Sequence, residues 1–344
     1  MKRKALLALS VLLLLFGVSE TERALTLPAA ACLSLYPQQS QRMLVPVGRA
    51  VGIKLFSEGV MVVGLAESAA GGPSPAQLAG LEEGDRILAI NGEEIASTEH
   101  VQSLLRQADG SAMTLSVFRE DRELELSLSP ERSGDGCRMG AWIRDSMAGI
   151  GTVTYVDPAS GAFGALGHSI NDVDTGTLMP LADGAVMDAA VTMVRRGSVG
   201  MPGELKGEFD LTADLGVLYD NNECGVFGVL ERSAFAEGTA LPVARAAQVR
   251  TGKATILADV SAEGTQAYEI EITRLYPFSG STRNMLVTVT DERLLALTGG
   301  IVQGMSGSPI LQNGRIVGAV THVLLDDPTR GYGIFIENML DAAG

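Results

Sequence analysis

The run Gly304-Met305-Ser306-Gly307-Ser308-Pro309 constrains this chain more than any other segment. A serine flanked by glycines, with a proline three residues on, needs a tight backbone turn. Such a turn exposes a hydroxyl and aims backbone N–H groups at one point. Those groups can hold a developing oxyanion if a nearby base takes the hydroxyl proton. A second small-residue run upstream ends in Gly167-His168-Ser169 and supplies a candidate base. The pairing points to nucleophilic acyl transfer of the serine-peptidase kind.

Only three histidines are present, so the choice of base is narrow. His100 sits at the predicted start of a helix in the first half. His168 follows the run Gly161-Ala-Phe-Gly-Ala-Leu-Gly167, where small residues permit close approach. His322 lies 16 residues past Ser306, at the end of a predicted strand. Taking His168 as base gives the order His, then Ser, and leaves His322 as a substrate-flanking candidate. In a chymotrypsin-like arrangement the N–H groups of Gly304 and Ser306 would form the oxyanion hole. A GxSxG elbow needs glycine at 308, where this chain has serine, and so fits poorly. Nine aspartates lie between base and serine: 172, 174, 183, 188, 210, 214, 220, 259 and 291. Spacing alone does not choose among them.

Composition bounds the remaining readings. With 46% hydrophobic and 19% charged residues, the 344-residue chain is globular and long enough for two domains. A net charge of −15 argues against nucleic acid as a partner. The three cysteines form no CxxC pair and there is no HExxH, so no metal or cofactor is expected. A Cys137–Cys224 disulfide is one option in an exported chain, and free thiols are the plainer one. Export itself is read from the N-terminus. Lys2, Arg3 and Lys4 precede an apolar run from Ala5 to Val18, which has signal-peptide length. It is shorter than the ~20 residues of a full span. The expectation is a signal peptide or a signal-anchor with its linker over 1–45. The rest then faces the far side of the membrane.

Between these ends the pattern is mainly β. Short β-rich runs occur at Val51–Leu55 and Gly59–Val63. The segment Ala79-Gly-Leu-Glu-Glu-Gly-Asp-Arg-Ile-Leu-Ala-Ile-Asn-Gly92 stops a helix at Gly80 and turns into a strand over 87–90. Ser97 opens a helix whose Val101, Leu104 and Leu105 share one face. This stretch resembles a PDZ domain of the bacterial protease-associated kind over 46–130. That resemblance implies binding of a peptide C-terminus as an added strand, with its carboxylate in a nest of N–H groups. The approach to Gly59 is the expected nest. Residues 129–137 read as a linker. From 135 to 344 short strands recur at 148–156, 162–166, 185–194, 225–230, 254–260, 267–275, 285–289, 310–311 and 316–322. The one helix expected there covers 292–297.

The second half resembles the SpoIVB peptidase family of sporulation proteins. The matching segments are Ala148–Thr152, Tyr155–Pro158, Gly164–Ile170 with Asp172 and Asp174, Gly299–Ile310, and Gly318–His322 with Asp327-Pro328 and Gly331–Gly333. The resemblance implies a mainly β chymotrypsin-like double barrel behind the PDZ domain. It implies Ser306 as nucleophile, His168 as base and Asp291 as the orienting acid, 15 residues before the serine. It also implies an endopeptidase that cleaves itself and a membrane-anchored regulator resembling SpoIVFA. That cleavage activates intramembrane processing of pro-sigma-K between the forespore and mother-cell membranes. Self-association through the PDZ domain is a further implication. The competing reading is a catalytically inert envelope adaptor that binds peptide C-termini.

Overall fold

Two strands organise the whole molecule because each is too long to belong to one half. β2 (Ala50–Leu65) and β9 (Ala141–Val156) pair antiparallel along nearly their full length, from Ala50↔Thr152 to Leu65↔Ala141. The computed structural model describes residues 42–344 except 70, 135, 232–234, 236–237 and 278–281, without the side chains of 211–213. The expected signal segment therefore lies outside the described residues. Among those residues no helix is long and apolar enough to cross a membrane.

β1 (Met43–Pro46) leads into β2, which bends at Gly59, where φ is +70°. A side chain at Gly59 would meet the Ile87 carbonyl at 2.4 Å, so only glycine lets the strand turn there. The two runs read separately from sequence are thus one bent strand. Beyond the bend come α1 (Pro75–Ala79), β3 (Arg86–Ile90), β4 (Glu93–Glu94), α2 (Thr98–Gln107), β5 (Met113–Arg119) and β6 (Arg122–Leu128). Ser74 and Gln77 cap α1 reciprocally, and Gly80 ends it in the left-handed conformation. Ser97 caps α2. The sheet β9-β2-β3-β5-β6 packs Ile87, Ile90, Leu115 and Val117 against Val101 of α2. The expected linker is a small hairpin, β7 (Glu131–Ser133) with β8 (Gly136–Arg138), laid beside α2.

The other ends of β2 and β9 enter a second layer. It adds β10 (Ala162–Ala165), β11 (Asp183–Arg195), β12 (Glu204–Asn222) and β13 (Gly225–Leu230). The pairings β2–β9, β9–β10, β10–β13, β13–β12, β12–β11 and β11–β2 return to their starting strand. Val51, Ile53, Val153, Phe163, Val186 and Val226 cluster among the buried residues of these strands. Ala50–Phe56, grouped with the PDZ segment in the sequence, here pairs with β11 and β9 instead. β14 (Leu241–Pro242) pairs β1 at the edge.

A closed barrel follows from β15 (Gly252–Asp259), β16 (Thr265–Leu275), β17 (Met285–Val289), β20 (Asp327–Phe335), β19 (Arg315–Leu324) and β18 (Pro309–Gln312). It encloses Ile256, Ile270, Val287, Ile310, Val320 and Phe335. α3 (Glu292–Thr298) and α4 (Ile336–Ala342) flank it. The sequence reading missed β12, β20 and α4. β20 opens on Asp327-Pro328 and holds two glycines, which read as turns. The fold is thus mainly β, with PDZ-type features and one closed six-stranded barrel. Cys137 and Cys224 are free thiols, so the disulfide option is not taken.

Candidate active site

Ser306 sits in the loop that enters β18. Gly304 and Gly307 hold it with φ values of +98° and +97°. A side chain at 307 would meet the Thr152 carbonyl at 2.0 Å. The turn is pinned on both sides by hydrogen bonds. Gly307 N donates to Val320 O at 2.8 Å, and Ser308 N to Met305 O at 3.0 Å. Met305 N donates to Val302 O at 3.1 Å. Among the described residues the N–H groups of Gly304 and Ser306 donate to no protein acceptor.

His168 reaches the same place from β10. Leu166 and Gly167 both take positive φ, +66° and +71°, which turns the chain sharply after the strand. A side chain at Gly167 would come within 2.9 Å of Ile334 and Thr321, so the turn lies directly against the barrel. The two loops are tied through Thr152 of β9. Its carbonyl accepts from Leu166 N at 3.2 Å, while its N–H donates to Ser306 O at 3.1 Å. Its hydroxyl donates to Gly304 O at 2.7 Å. Thr152 was not singled out in the sequence, because no local signal marks a residue that joins two distant loops.

Ser306, His168, Gly304 and His322 line one cavity of about 600 Å³. The Ser306 hydroxyl donates to Thr321 O at 2.8 Å. His168 Nδ1 lies 2.8 Å from the Ser169 carbonyl, which can only accept. Nδ1 therefore carries the proton, and Nε2 keeps the lone pair of the neutral ring. Burial lowers the His168 pKa below the ordinary histidine value, and the Ser169 carbonyl partly opposes that. The His322 ring is tilted 43° to His168, with centroids 5.2 Å apart. Burial, then His168 and Arg283, bring His322 down to about 4. Its Nδ1 is buried without a hydrogen-bond partner among the described residues.

Asp291 is not brought to His168. It caps α3, accepting from Arg293 N at 2.9 Å, from Glu269 N at 3.2 Å and from the Arg293 guanidinium. Those bonds hold its pKa down at about 2. It does not line the cavity. His100 pairs with Glu93 at 3.0 Å on α2, away from the cavity. The buried carboxylate nearest in sequence to His168 is Asp172. It accepts from Asp174 N, Thr175 N and the Arg144 guanidinium, and so shapes the loop after the histidine.

A second groove of about 840 Å³ lies between α2 and the β8–β9 segment. Val101, Leu105, Met139 and Ile143 give it an apolar floor, with Arg106 and Glu131 at its sides. Along Ala141–Ile143, β9 pairs with β2 on one edge only, among the described residues. Gly59, where the nest is expected, is packed onto β3 and does not line this groove. No group of side chains suited to a metal occurs among the described residues.

Comparisons with known proteins divide along the same lines. A PDZ domain profile matches residues 67–119. A putative zinc metalloprotease of Agrobacterium fabrum is 32% identical over 96 residues, covering 28% of this chain and 24% of that protein. The chain thus spans about a quarter of the curated relative it matches. Among solved structures, the HtrA-type protease AlgW with tripeptide has a TM-score of 0.34 at 13% identity, covering 56% of this chain and 54% of that one. The Rv3671c protease of M. tuberculosis, in its inactive form, has 0.29 at 16%, covering 57% and 82%. Likeness at that level assigns no function. The SpoIVB peptidase S55 profile matches residues 135–340, more than half of the chain. Strands β8 to β20, the Ser306 turn and the His168 loop fall within that span, and the chain belongs to the SpoIVB peptidase S55 family, a family of serine peptidases.

Proposed function

We propose that the chain is a serine endopeptidase in which Ser306 is the nucleophile and His168 the base. One observation carries this reading: a serine hydroxyl, a neutral histidine and two unpaired N–H groups face a single cavity. The hydroxyl leaves Thr321 O and gives its proton to His168 Nε2 as it attacks the substrate carbonyl. The N–H groups of Gly304 and Ser306 receive the oxyanion. The imidazolium then protonates the leaving amine, and water hydrolyses the acyl-enzyme by the same route. His322 flanks the substrate. In the arrangement described, the Ser169 carbonyl orients His168. Asp291 could serve as the acid only by leaving Arg293 and the α3 N-terminus. The ring of six paired strands beside the closed barrel supports a double-barrel peptidase with the cleft between its halves.

The finer reading follows the family. The chain cleaves itself and a membrane-anchored regulator resembling SpoIVFA, which activates processing of pro-sigma-K during sporulation. It acts after export across the cytoplasmic membrane, and the groove beside β9 takes a peptide C-terminus, from a partner or a second copy. Wild type and Ser306→Ala followed by intact mass test this reading. Only wild type should shorten at its N-terminus, and the variant should lose turnover by ~10⁶-fold. Shortening of both would end the assignment of Ser306. An inert adaptor instead predicts peptide binding with no fluorophosphonate labelling of Ser306.

A further inference from the structure

The cavity at Ser306 has a chemical bias that the proposed peptidase reaction does not require. None of its lining residues is Asp, Glu, Lys or Arg. Its two titratable groups, His168 and His322, both have lowered pKa values and are neutral at pH 7. Arg283 is near enough to influence His322, but it stacks over Tyr332 and does not line the cavity.

The walls divide by position. Met147, Ile150, Ile170 and Val173 lie on the His168 side, from β9 and the loop after the histidine. Ile301, Val302, Val323 and Leu325 flank Ser306 itself, from the loop before it and from β19 and its end. β19 pairs with β20 through Val323↔Gly331. On its other edge the pairing with β18 reaches Ala319, followed by two bonds at Val320, its N–H to Ser308 O and its carbonyl from Gly307 N. Beyond Val320 no strand pairs with that edge among the described residues; Thr321 O accepts from the Ser306 hydroxyl and Leu325 O from Gly200 N. An extended substrate can add there as a strand. With its carbonyl at the N–H groups of Gly304 and Ser306, the side chain of the attacked residue points between the 301–303 and 321–325 segments.

Resting on the assignment of Ser306 and His168, we propose that this subsite selects an uncharged aliphatic residue at the scissile bond, through Ile301, Val302, Val323 and Leu325. A charged side chain there would leave water for a wall that offers no counter-charge. An aliphatic one gains from burial against the same wall. The peptidase therefore cuts within apolar stretches of extended chain, and basic or acidic residues at that position are rejected.

The test uses the full chain and quenched fluorescent peptides that differ only at the residue before the scissile bond: Leu, Val, Lys or Glu. Cleavage positions are read by mass spectrometry. The expected result is kcat/KM at least ~100-fold higher for Leu and Val than for Lys and Glu. Introducing a carboxylate, by Val323→Asp or the more exposed Leu325→Asp, should raise the Lys peptide relative to Leu by ~10-fold or more. Comparable cleavage of the Lys or Glu peptide overturns the assignment, as does an unchanged ratio in both variants. Fluorophosphonate labelling separates the two levels. If Ser306 labels but aliphatic peptides are not favoured, the selectivity falls and the nucleophile stands. If Ser306 does not label, both fall.

Discussion

His322 shows how much one side chain can depend on its surroundings. Its ring sits against His168 with Nδ1 buried and unpartnered, and its pKa falls from 6.5 to about 4. The unfolded chain therefore binds a proton at higher pH than the folded one does. The stability tied to this neutral ring is fully present above about pH 6.5 and is lost as pH falls from there towards 4. His322→Gln should flatten that part of the stability profile, measured by denaturant unfolding between pH 4 and 7. His168 shifts in the same direction. The acid limb of activity should therefore lie below 6.5, the ordinary histidine value. Asp291 gives the contrasting case. Asp291→Ala removes the α3 cap and should cost about 1 kcal/mol of stability. It should leave the midpoint of the acid limb of kcat/KM unmoved. A shifted limb with unchanged stability would restore Asp291 as the orienting acid.

At the scale of elements, β9 does more than any one motif. Its N-terminal end borders the groove beside α2, its middle lines the cavity at Ser306, and Thr152 ties the His168 and Ser306 loops together. Thr152→Val keeps the shape but drops the bond to Gly304 O. The Gly304 N–H would then lose its aim, and kcat should fall by about 10²-fold while the melting temperature changes little. An unchanged kcat would show that the turn is held by its glycines alone. The elements themselves were unevenly legible in the sequence. β13 and β17 stand where the apolar runs put them, because each is short and continuous. β12 was not read because its 19 residues mix glycine and acidic residues with the apolar ones, and Val217 and Tyr219 face solvent. β9 was read only from 148 onward; its first half also pairs with β2, but with two register shifts, between Phe56 and Met61 and between Val62 and Gly64.

At the scale of the molecule, Arg42–Gly344 is one compact unit because the peptidase half borrows a strand. Ala50–Phe56 of β2 sits between β9 and β11, and leaving it out opens both pairings. A chain truncated to 135–344 should therefore fail to fold cooperatively, whereas 42–344 should melt in one transition by circular dichroism. Cooperative unfolding of the shorter chain would show that the ring closes without β2.

The sequence by itself determined what depends on a few neighbouring residues. The glycines at 304 and 307 dictate a turn that only residues tolerant of positive φ can make. The helix caps at Ser74 and Ser97 and the stop at Gly80 follow from the same local rules. The family and its PDZ companion were legible because their motifs are contiguous. The tertiary structure decided everything that joins distant segments. It paired Thr152 with Gly304 and set His322 beside His168. It also opened a groove beside β9 that Gly59 does not line. Backbone dihedrals answer to steric contacts within a few residues. The partners of Thr152 and of the His322 ring lie more than a hundred residues away in sequence, and only the packed molecule fixes them.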